Sequence, residues 1–250
     1  MTAPDESSEG APRPRVAVST AKALLDYIDT NHLQPGDSLP IERDMIEWLG
    51  VARTTLREAL RLLEAQGVLE IRRGRGGGPV VGNVGPEDYA SSTTMLLQFM
   101  KVRFGVVMDA RIAIEPEIAA AAAEHRKPEQ VRALAAAVKD MKAATTKLSN
   151  FQDPYDRFHV LLGECSQNPL LFMTGLTFRR IWSNLHPENA ANDSATAAAV
   201  VRAHQRLLTA VEKQDAEAAR RTSRRHLTQY RSWVNENLPE WFDRRVEWTF

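Results

Sequence analysis

Glycine is placed along this chain in a way that leaves few folds open to it. Of 13 glycines, only Gly105, Gly163 and Gly175 follow Pro86, and alanine rises sharply in the same stretch. A glycine in a helix interior costs about 1 kcal/mol relative to alanine, so this exchange removes the main obstacle to long helices. Apolar positions recur at helical spacing in seven blocks, about 87–102, 104–126, 129–148, 151–166, 169–186, 194–213 and 215–237. Pro128 separates the second block from the third, and Asn168-Pro169 offers an N-cap followed by proline at the first helical position. No run in this half alternates apolar and polar residues long enough for a strand. An antiparallel helical bundle is the expected packing.

The region before Pro86 is built differently. Glycine crowds into Gly74-Arg75-Gly76-Gly77-Gly78-Pro79 and again into Gly82-Asn83-Val84-Gly85, which marks turns and a boundary. The expected organisation is a disordered tail over 1–15, rich in Pro, Ser, Glu and Gly, and a compact α+β domain over 16–82. A linker over 83–86, a helical domain over 87–240 and a C-terminal tail over 241–250 follow. The fold class is therefore mainly α, with a small α+β domain ahead of a helical bundle.

Composition narrows the function only by exclusion. The 32 Lys and Arg balance 32 Asp and Glu, so total charge indicates neither a nucleic acid nor a membrane as partner, although local clusters can still do so. One cysteine, Cys165, allows no intrachain disulfide and no cysteine-pair metal site. It reads as a small buried helix residue, with no nearby base to activate its thiol. The acidic, polar start MTAPDESSEGAPRPR is unlike a secretory signal, and no run of about 18 apolar residues spans a membrane. A cytoplasmic location is expected.

The window Ile41–Val81 carries the chemistry. Glu42–Leu49 is a short amphipathic helix with Met45, Ile46, Trp48 and Leu49 as its apolar residues, Gly50-Val51-Ala52 is a three-residue turn, and Arg53–Gln66 is a second helix stopped by Gly67. Two helices joined so make a helix-turn-helix. Val68–Arg73 alternates as a strand, the glycines at 74–78 turn the chain, and Val80-Val81 returns beside it as a wing. On the second helix Leu56, Leu60 and Leu63, with Ala59 and Leu62, form a stripe expected to be buried. Arg53, Arg57 and Arg61 recur every fourth residue on another face. The window 53–75 holds six arginines against Glu58, Glu64 and Glu70. The planar fork of arginine suits phosphate and guanine, and glycines in a wing let backbone amides approach phosphates. A solvated helix face would explain the arginine row alone, but not the row, the turn and the wing together.

The stretch Leu33-Gln34-Pro35-Gly36-Asp37-Ser38-Leu39-Pro40-Ile41-Glu42-Arg43-Asp44, continued by Gly50–Leu60 and closed by Glu64-Ala65-Gln66-Gly67-Val68-Leu69, resembles the signature of GntR-type winged-helix regulators over about residues 16–81. The resemblance implies that Arg43, Arg53, Thr54, Thr55 and Arg57 contact double-stranded operator DNA, and that the wing, with Arg73, Gly74, Arg75 and Gly76, enters the adjacent minor groove. Ala52 and Ile41 stand where the family usually has Ser or Thr and Ser, so two capping hydroxyls are missing.

In the helical half three histidines lie on apolar faces. His159 is one turn from Tyr155, His204 lies among Val200, Val201, Leu207 and Leu208, and His226 shares a face with Tyr230 and Trp233. Each alone is more simply a hydrogen-bonded core histidine; three that met in a bundle core could hold a metal. This half is similar to the FadR-type effector-binding (FCD) domain, on Arg111-Ile112-Ala113-Ile114-Glu115, Phe158-His159 with Asn168, and His204 with His226. The resemblance implies one divalent metal ion, not distinguished as zinc, nickel or manganese, on His159, His204 and His226 with a carboxylate as fourth ligand. The usual Asp position, four residues before the first His, holds Tyr155. Asp156, three residues before it, is the remaining candidate. It further implies a small carboxylate effector held by Arg111, Tyr155 and Asn168; pairing of Arg111 with Glu115 is the competing reading. Arg179-Arg180 and Arg220-Arg221-Arg224-Arg225 are expected to be solvated surface.

These readings converge on a ligand-responsive repressor, not an enzyme, that binds a near-palindromic operator as a homodimer, because one winged helix makes few phosphate contacts. Two rivals stand beside it. One is a metal-dependent hydrolase on the three histidines, which would need a general base near the metal. The other is a structural helical dimer whose winged helix binds protein.

Overall fold

The architecture, obtained as a computed structural model, is described for residues 13–74, 77–185 and 193–248. They form ten α-helices, two short 3-10 helices and one two-stranded sheet, in two compact units divided between Gly85 and Pro86. Arg13, Pro14 and Arg15, expected in the tail, already belong to the first helix; residues 1–12 of that tail lie outside the described residues.

The first unit contains α1 (Arg13–Thr30), α2 (Glu42–Leu49), α3 (Arg53–Ala65), β1 (Leu69–Arg72) and β2 (Gly78–Val81). In α3, Leu56, Ala59, Leu60 and Leu63 are buried at the spacing i, i+3, i+4, i+7 that makes one face of a helix. They pack with Leu24 of α1, Met45 of α2 and Leu69 of β1. Leu62, expected in that stripe, is exposed, because it falls on the flank of the face rather than at its centre. The tight link between α2 and α3 needs Gly50, which closes α2 in the left-handed region (φ 63°, ψ 32°) and donates its N–H to the Ile46 carbonyl at 2.9 Å. Ile41 and Ala52 occupy the N-cap positions of α2 and α3 and supply no side-chain acceptor.

The strands β1 and β2 are antiparallel, with Leu69 opposite Val81 and Arg72 opposite Gly78. The segment before α2 lies along the other edge of β2. Gly36 donates to Val81 at 2.8 Å, Val81 to Asp37 at 2.8 Å and Leu39 to Pro79 at 2.9 Å. The hairpin is thereby anchored at its base, and its tip, with Arg75 and Gly76, lies outside the described residues.

The second unit is all helical in its described residues. It runs α4 (Pro86–Phe99), α5 (Phe104–His125), α6 (Pro128–Ala144), α7 (Gln152–Cys165), α8 (Pro169–Leu185), α9 (Ser194–Glu212) and α10 (Ala216–Asn237). Caps set several boundaries. Asn168 accepts from the N–H groups of Leu170 and Leu171, Asp193 from Thr196 and Asp215 from Ala218. The α5 helix packs against α7, α8, α9 and α10, and Phe104, Met108, Leu134, Met141, Phe151, Phe158 and Ile181 fill the core.

The three glycines that survive in this half each face a close neighbour. A methyl group on Gly163 would lie 2.8 Å from the Phe172 ring, one on Gly175 3.2 Å from Ile118, and one on Gly105 3.1 Å from Phe242. Residues 241–248, expected as part of a C-terminal tail, are docked on the helical unit. Phe104 donates to Arg244 at 2.8 Å, Val246 donates to Val102 at 2.9 Å, and Val246 is fully buried. The valine and aromatic residues of 241–248 supply the apolar surface that makes this docking favourable.

Candidate functional site

The first unit presents its arginines outward. Arg53 and Arg57 are 68% and 61% exposed, and both Nε atoms donate to the same Glu42 Oε1, at 3.2 and 3.0 Å. Arg53 first, then Arg57, holds the Glu42 carboxyl below its ordinary range. One carboxylate of α2 thus aligns two guanidinium groups of α3, one helical turn apart. Arg57 and Arg61 share with Arg72 and Arg73 of the hairpin the lining of an open groove of about 680 Å³. Arg43 is exposed beside Asp44, Thr54 is exposed, Thr55 is half-buried, and Gly74 turns the chain at φ 105°. Arg75 and Gly76 are outside the described residues.

The second unit encloses a small cavity of about 40 Å³ between α5, α7, α8, α9 and α10. Its walls bring together Arg111, Tyr155, His159, Arg179, His204 and His226. His204 Nδ1 faces the Val200 carbonyl at 2.8 Å and its Nε2 lies 3.1 Å from His159 Nε2. The rings of His204 and His226 are 5.2 Å apart. Burial depresses all three: His159 well below the ordinary imidazole value, His204 to about 4 and His226 to about 3. They are neutral at pH 7. Tyr155 packs on His159 and His204, and burial raises its phenol, so it is protonated.

Two family models match the chain: "Bacterial regulatory proteins, gntR family" over residues 17–77 and "FCD domain" over residues 106–229. The chain belongs to the GntR family of bacterial regulatory proteins. Its FCD domain fits the FadR-like subfamily, whose members are transcription regulators and not enzymes. A relative in Escherichia coli (strain K12), the Uxu operon transcriptional regulator, is 29% identical over 89% of this chain and 87% of its own. The HTH-type transcriptional regulator Rv0494 of Mycobacterium tuberculosis is 32% identical over 66% of this chain, and the match spans 64% of that relative's length. Among solved structures, Streptococcus agalactiae GntR superposes with a TM-score of 0.63 at 23% identity, covering 86% of this chain and 99% of that one, which places the two in one fold.

Within this GntR-family protein several expected site residues take other roles. Asn168 is exposed and caps α8, and it does not line the cavity. Arg111 lines the cavity, but its Nε donates to Glu115 Oε1 at 2.5 Å and its guanidinium stacks over Trp182 at 5.3 Å. The competing reading of that residue, an i,i+4 pair, is thus present. Asp156 accepts from Arg179 and, at 2.6 Å, from Gln152 Nε2, which draws its carboxylate away from metal ligation.

The donor set therefore lacks the carboxylate that the resemblance implies for a divalent ion. Its fourth position holds a protonated phenol, the nearby carboxylate is bound to an arginine, and two guanidinium groups share the cavity wall. Among the described residues no group of three or more His, Cys, Asp or Glu side chains is arranged to hold a metal. The hydrolase reading loses its base by the same geometry, since Glu115 and Asp156 are each paired with an arginine.

Arg179 is the residue that sequence reasoning missed. Expected on the surface, it is only 9% exposed. Its Nη2 donates to Asp156 and to Ser183 Oγ at 2.6 Å, and its guanidinium lies 5.4 Å from the Tyr155 ring centre. The signal was its position inside the apolar block Phe178–Trp182, with Ser183 one turn ahead. Cys165 is buried as expected, its thiol pushed up to about 11 by burial.

Proposed function

We propose that the protein is a cytoplasmic repressor that binds a near-palindromic operator as a homodimer and is controlled by a small carboxylate. The observation that carries this reading is the exposed arginine row of α3, aligned by Glu42 and facing a groove whose other wall is the arginine-bearing hairpin. Guanidinium groups at helical spacing on an accessible face can follow a duplex groove, with hairpin groups reaching the adjacent backbone. Arg43, Arg53, Thr54, Thr55, Arg57 and the hairpin residues Arg73–Gly76 are the proposed DNA contacts.

Dimerisation is supported by an apolar face of α4. Met95, Leu96 and Phe99 are exposed along that helix, Leu96 57% and Phe99 84%, with Met100 exposed just past its end and Val106 at the start of α5. Such a concentration of exposed apolar side chains marks an association surface. Two half-sites about one helical turn apart then give a dimer its register, and occupancy of that stretch excludes other proteins from it.

The experiment is selection of bound fragments from genomic DNA with the full chain, followed by titration of the recovered site with the Arg53→Ala/Arg57→Ala double variant. Wild-type protein should bind with log affinity falling against log salt at a slope of about −7, for roughly eight neutralised phosphates. The variant, folded by circular dichroism, should lose specific binding. Equal affinity would defeat the reading. Effector coupling of about 1–3 kcal/mol would change operator affinity roughly 5–150-fold. Among the described residues no helix is long and apolar enough to cross a membrane.

A further inference from the structure

We infer that the sensor pocket takes its acid directly on arginine, without a metal ion between them, and that the ligand is a dianion: one carboxylate is gripped in the small cavity by Arg179, and a second anionic group reaches an arginine-lined mouth. This inference rests on the carboxylate-sensor reading above and deepens it.

The first observation is an incomplete hydrogen-bond set. Arg179 is more than nine-tenths buried and lines the cavity, yet its Nε and Nη1 have no partner among the described residues. Both known acceptors, Asp156 and Ser183, sit on Nη2. Buried donors on a charged group are rarely left unmade, because their lost hydration is not replaced. A carboxylate in the cavity gives those N–H groups acceptors, and a charge-assisted contact of this kind is the strong variety. The space agrees with such a head group. One water needs about 10–15 Å³ by this measure, so about 40 Å³ takes roughly three heavy atoms, the size of a carboxylate, and not a whole sugar acid or dicarboxylate.

The second observation shows where the rest of the molecule goes. An open groove of about 380 Å³ shares Thr222 and His226 with the cavity and is lined by Arg206, Arg221 and Arg225. Arg221 has only a distant pairing with Glu217, at 4.0 Å, and Arg206 and Arg225 have no ion pair among the described residues. A second negative group is the chemistry that this mouth accepts. Glu115 and Asp156 already offset the charges of Arg111 and Arg179, so the preference for an anion comes from the unmet N–H donors of Arg179, which an anion can satisfy and a cation cannot.

The test uses the full-length protein and two acid series, malonate to adipate and the monocarboxylates of matching chain length, each followed by thermal shift and calorimetry with EDTA or with added zinc or manganese. Expected is stabilisation by at least one dicarboxylate, unchanged in EDTA and at least ~10-fold tighter than its monocarboxylate, since a charged hydrogen-bonded contact is worth about that factor. Arg179→Met, and the paired variant Asp156→Asn/Arg179→Met, which leaves no lone carboxylate, should bind at least ~10-fold more weakly while melting as cooperatively as wild type. Arg221→Ala/Arg225→Ala should bring the dicarboxylate down to its monocarboxylate.

Stabilisation that requires metal, stoichiometric metal in the purified protein, or full acid affinity in the paired variant would overturn this inference and leave the carboxylate-sensor reading standing. Silence to every acid, with operator binding intact, would overturn both, and the DNA-binding reading would survive.

Discussion

His204 Nε2 lies 3.1 Å from His159 Nε2, while the other ring nitrogen of His204 faces the Val200 carbonyl at 2.8 Å. A nitrogen against a carbonyl carries the proton, so His204 is the Nδ1–H tautomer and its Nε2 accepts. His159 must then donate through Nε2. The pair is a neutral hydrogen bond; a proton on His204 Nε2 would remove its acceptor, and a positive charge on either ring would be buried, that on His159 close to Arg111 and Arg179.

Stability should therefore fall in acid well before the carboxylates titrate. The unfolded chain takes up protons on these histidines below about pH 6.5, while the folded pocket refuses them until about 4 at His204 and 3 at His226. The unfolded state binds more protons across that window, so folding free energy drops as pH falls, by about 1.4 kcal/mol per unit for each histidine fully affected. Urea unfolding of the wild type at pH 7.5, 6, 5 and 4.5, with EDTA present, should show this loss below 6.5. His204→Gln should lessen the dependence by about the share of one histidine, and an unchanged slope would contradict the neutral cluster.

The missing N-cap of α3 is a second measurable deficit. Ala52 sits at that position with extended backbone (φ −67°, ψ 150°), the conformation from which a serine side chain reaches the helix amides. Ala52→Ser should raise the stability of the first unit by about 1 kcal/mol and leave DNA affinity within a few-fold. Ala52→Asp should stabilise the fold comparably but bind DNA more weakly, because its charge stands next to Arg53 and near phosphate. Denaturant melts and operator titrations separate the two effects.

The helices of the second unit were legible because the alanine-rich periodicity, the break at Pro128 and the cap Asn168 act locally, whereas the caps Asp193 and Asp215 emerge only in the structure. The arginine row of α3 was legible for the same reason: a four-residue repeat places side chains on one face whatever surrounds the helix. Other outcomes depend on tertiary partners that no local pattern encodes. The burial of Arg179 follows from α8 packing against α7, which brings Asp156 to it; the docking of Val246 follows from a pairing with Val102, far away in sequence. Asn168 could be read two ways from the sequence, as cap and as effector ligand, and its two amide contacts show the cap.

The docked C-terminal segment should contribute to folding. Val246 is fully buried in the core of the second unit and its amide bonds to Val102. Burying a valine is worth about 1.5–3 kcal/mol, so Val246→Asp, which also buries a charge, should destabilise the unit by more than that, and Val246→Ala by up to about 2 kcal/mol. A thermal melt in which both variants match the wild type would mean that the segment is not docked in solution.

Gly163 and Gly175 make an opposed pair. Alanine in a helix interior gains up to about 1 kcal/mol over glycine, so the sign of each change depends on what the added methyl meets. At Gly163 it meets Cδ2 of the Phe172 ring at 2.8 Å, with the Phe172 backbone 3.6 Å away, and a ring cannot bend aside. Overpacking of this kind costs about 1–3 kcal/mol, more than the propensity gain. At Gly175 it meets only the terminal Cδ1 of Ile118 at 3.2 Å, and Ile118 borders the open cavity into which that methyl can turn. Gly163→Ala should therefore lower the unfolding free energy of the second unit by about 1–2 kcal/mol, and Gly175→Ala should leave it unchanged or raise it slightly. Denaturant unfolding of the two variants side by side decides the matter; a loss at Gly175 equal to that at Gly163 would mean that the cavity wall is rigid and closed to side-chain movement.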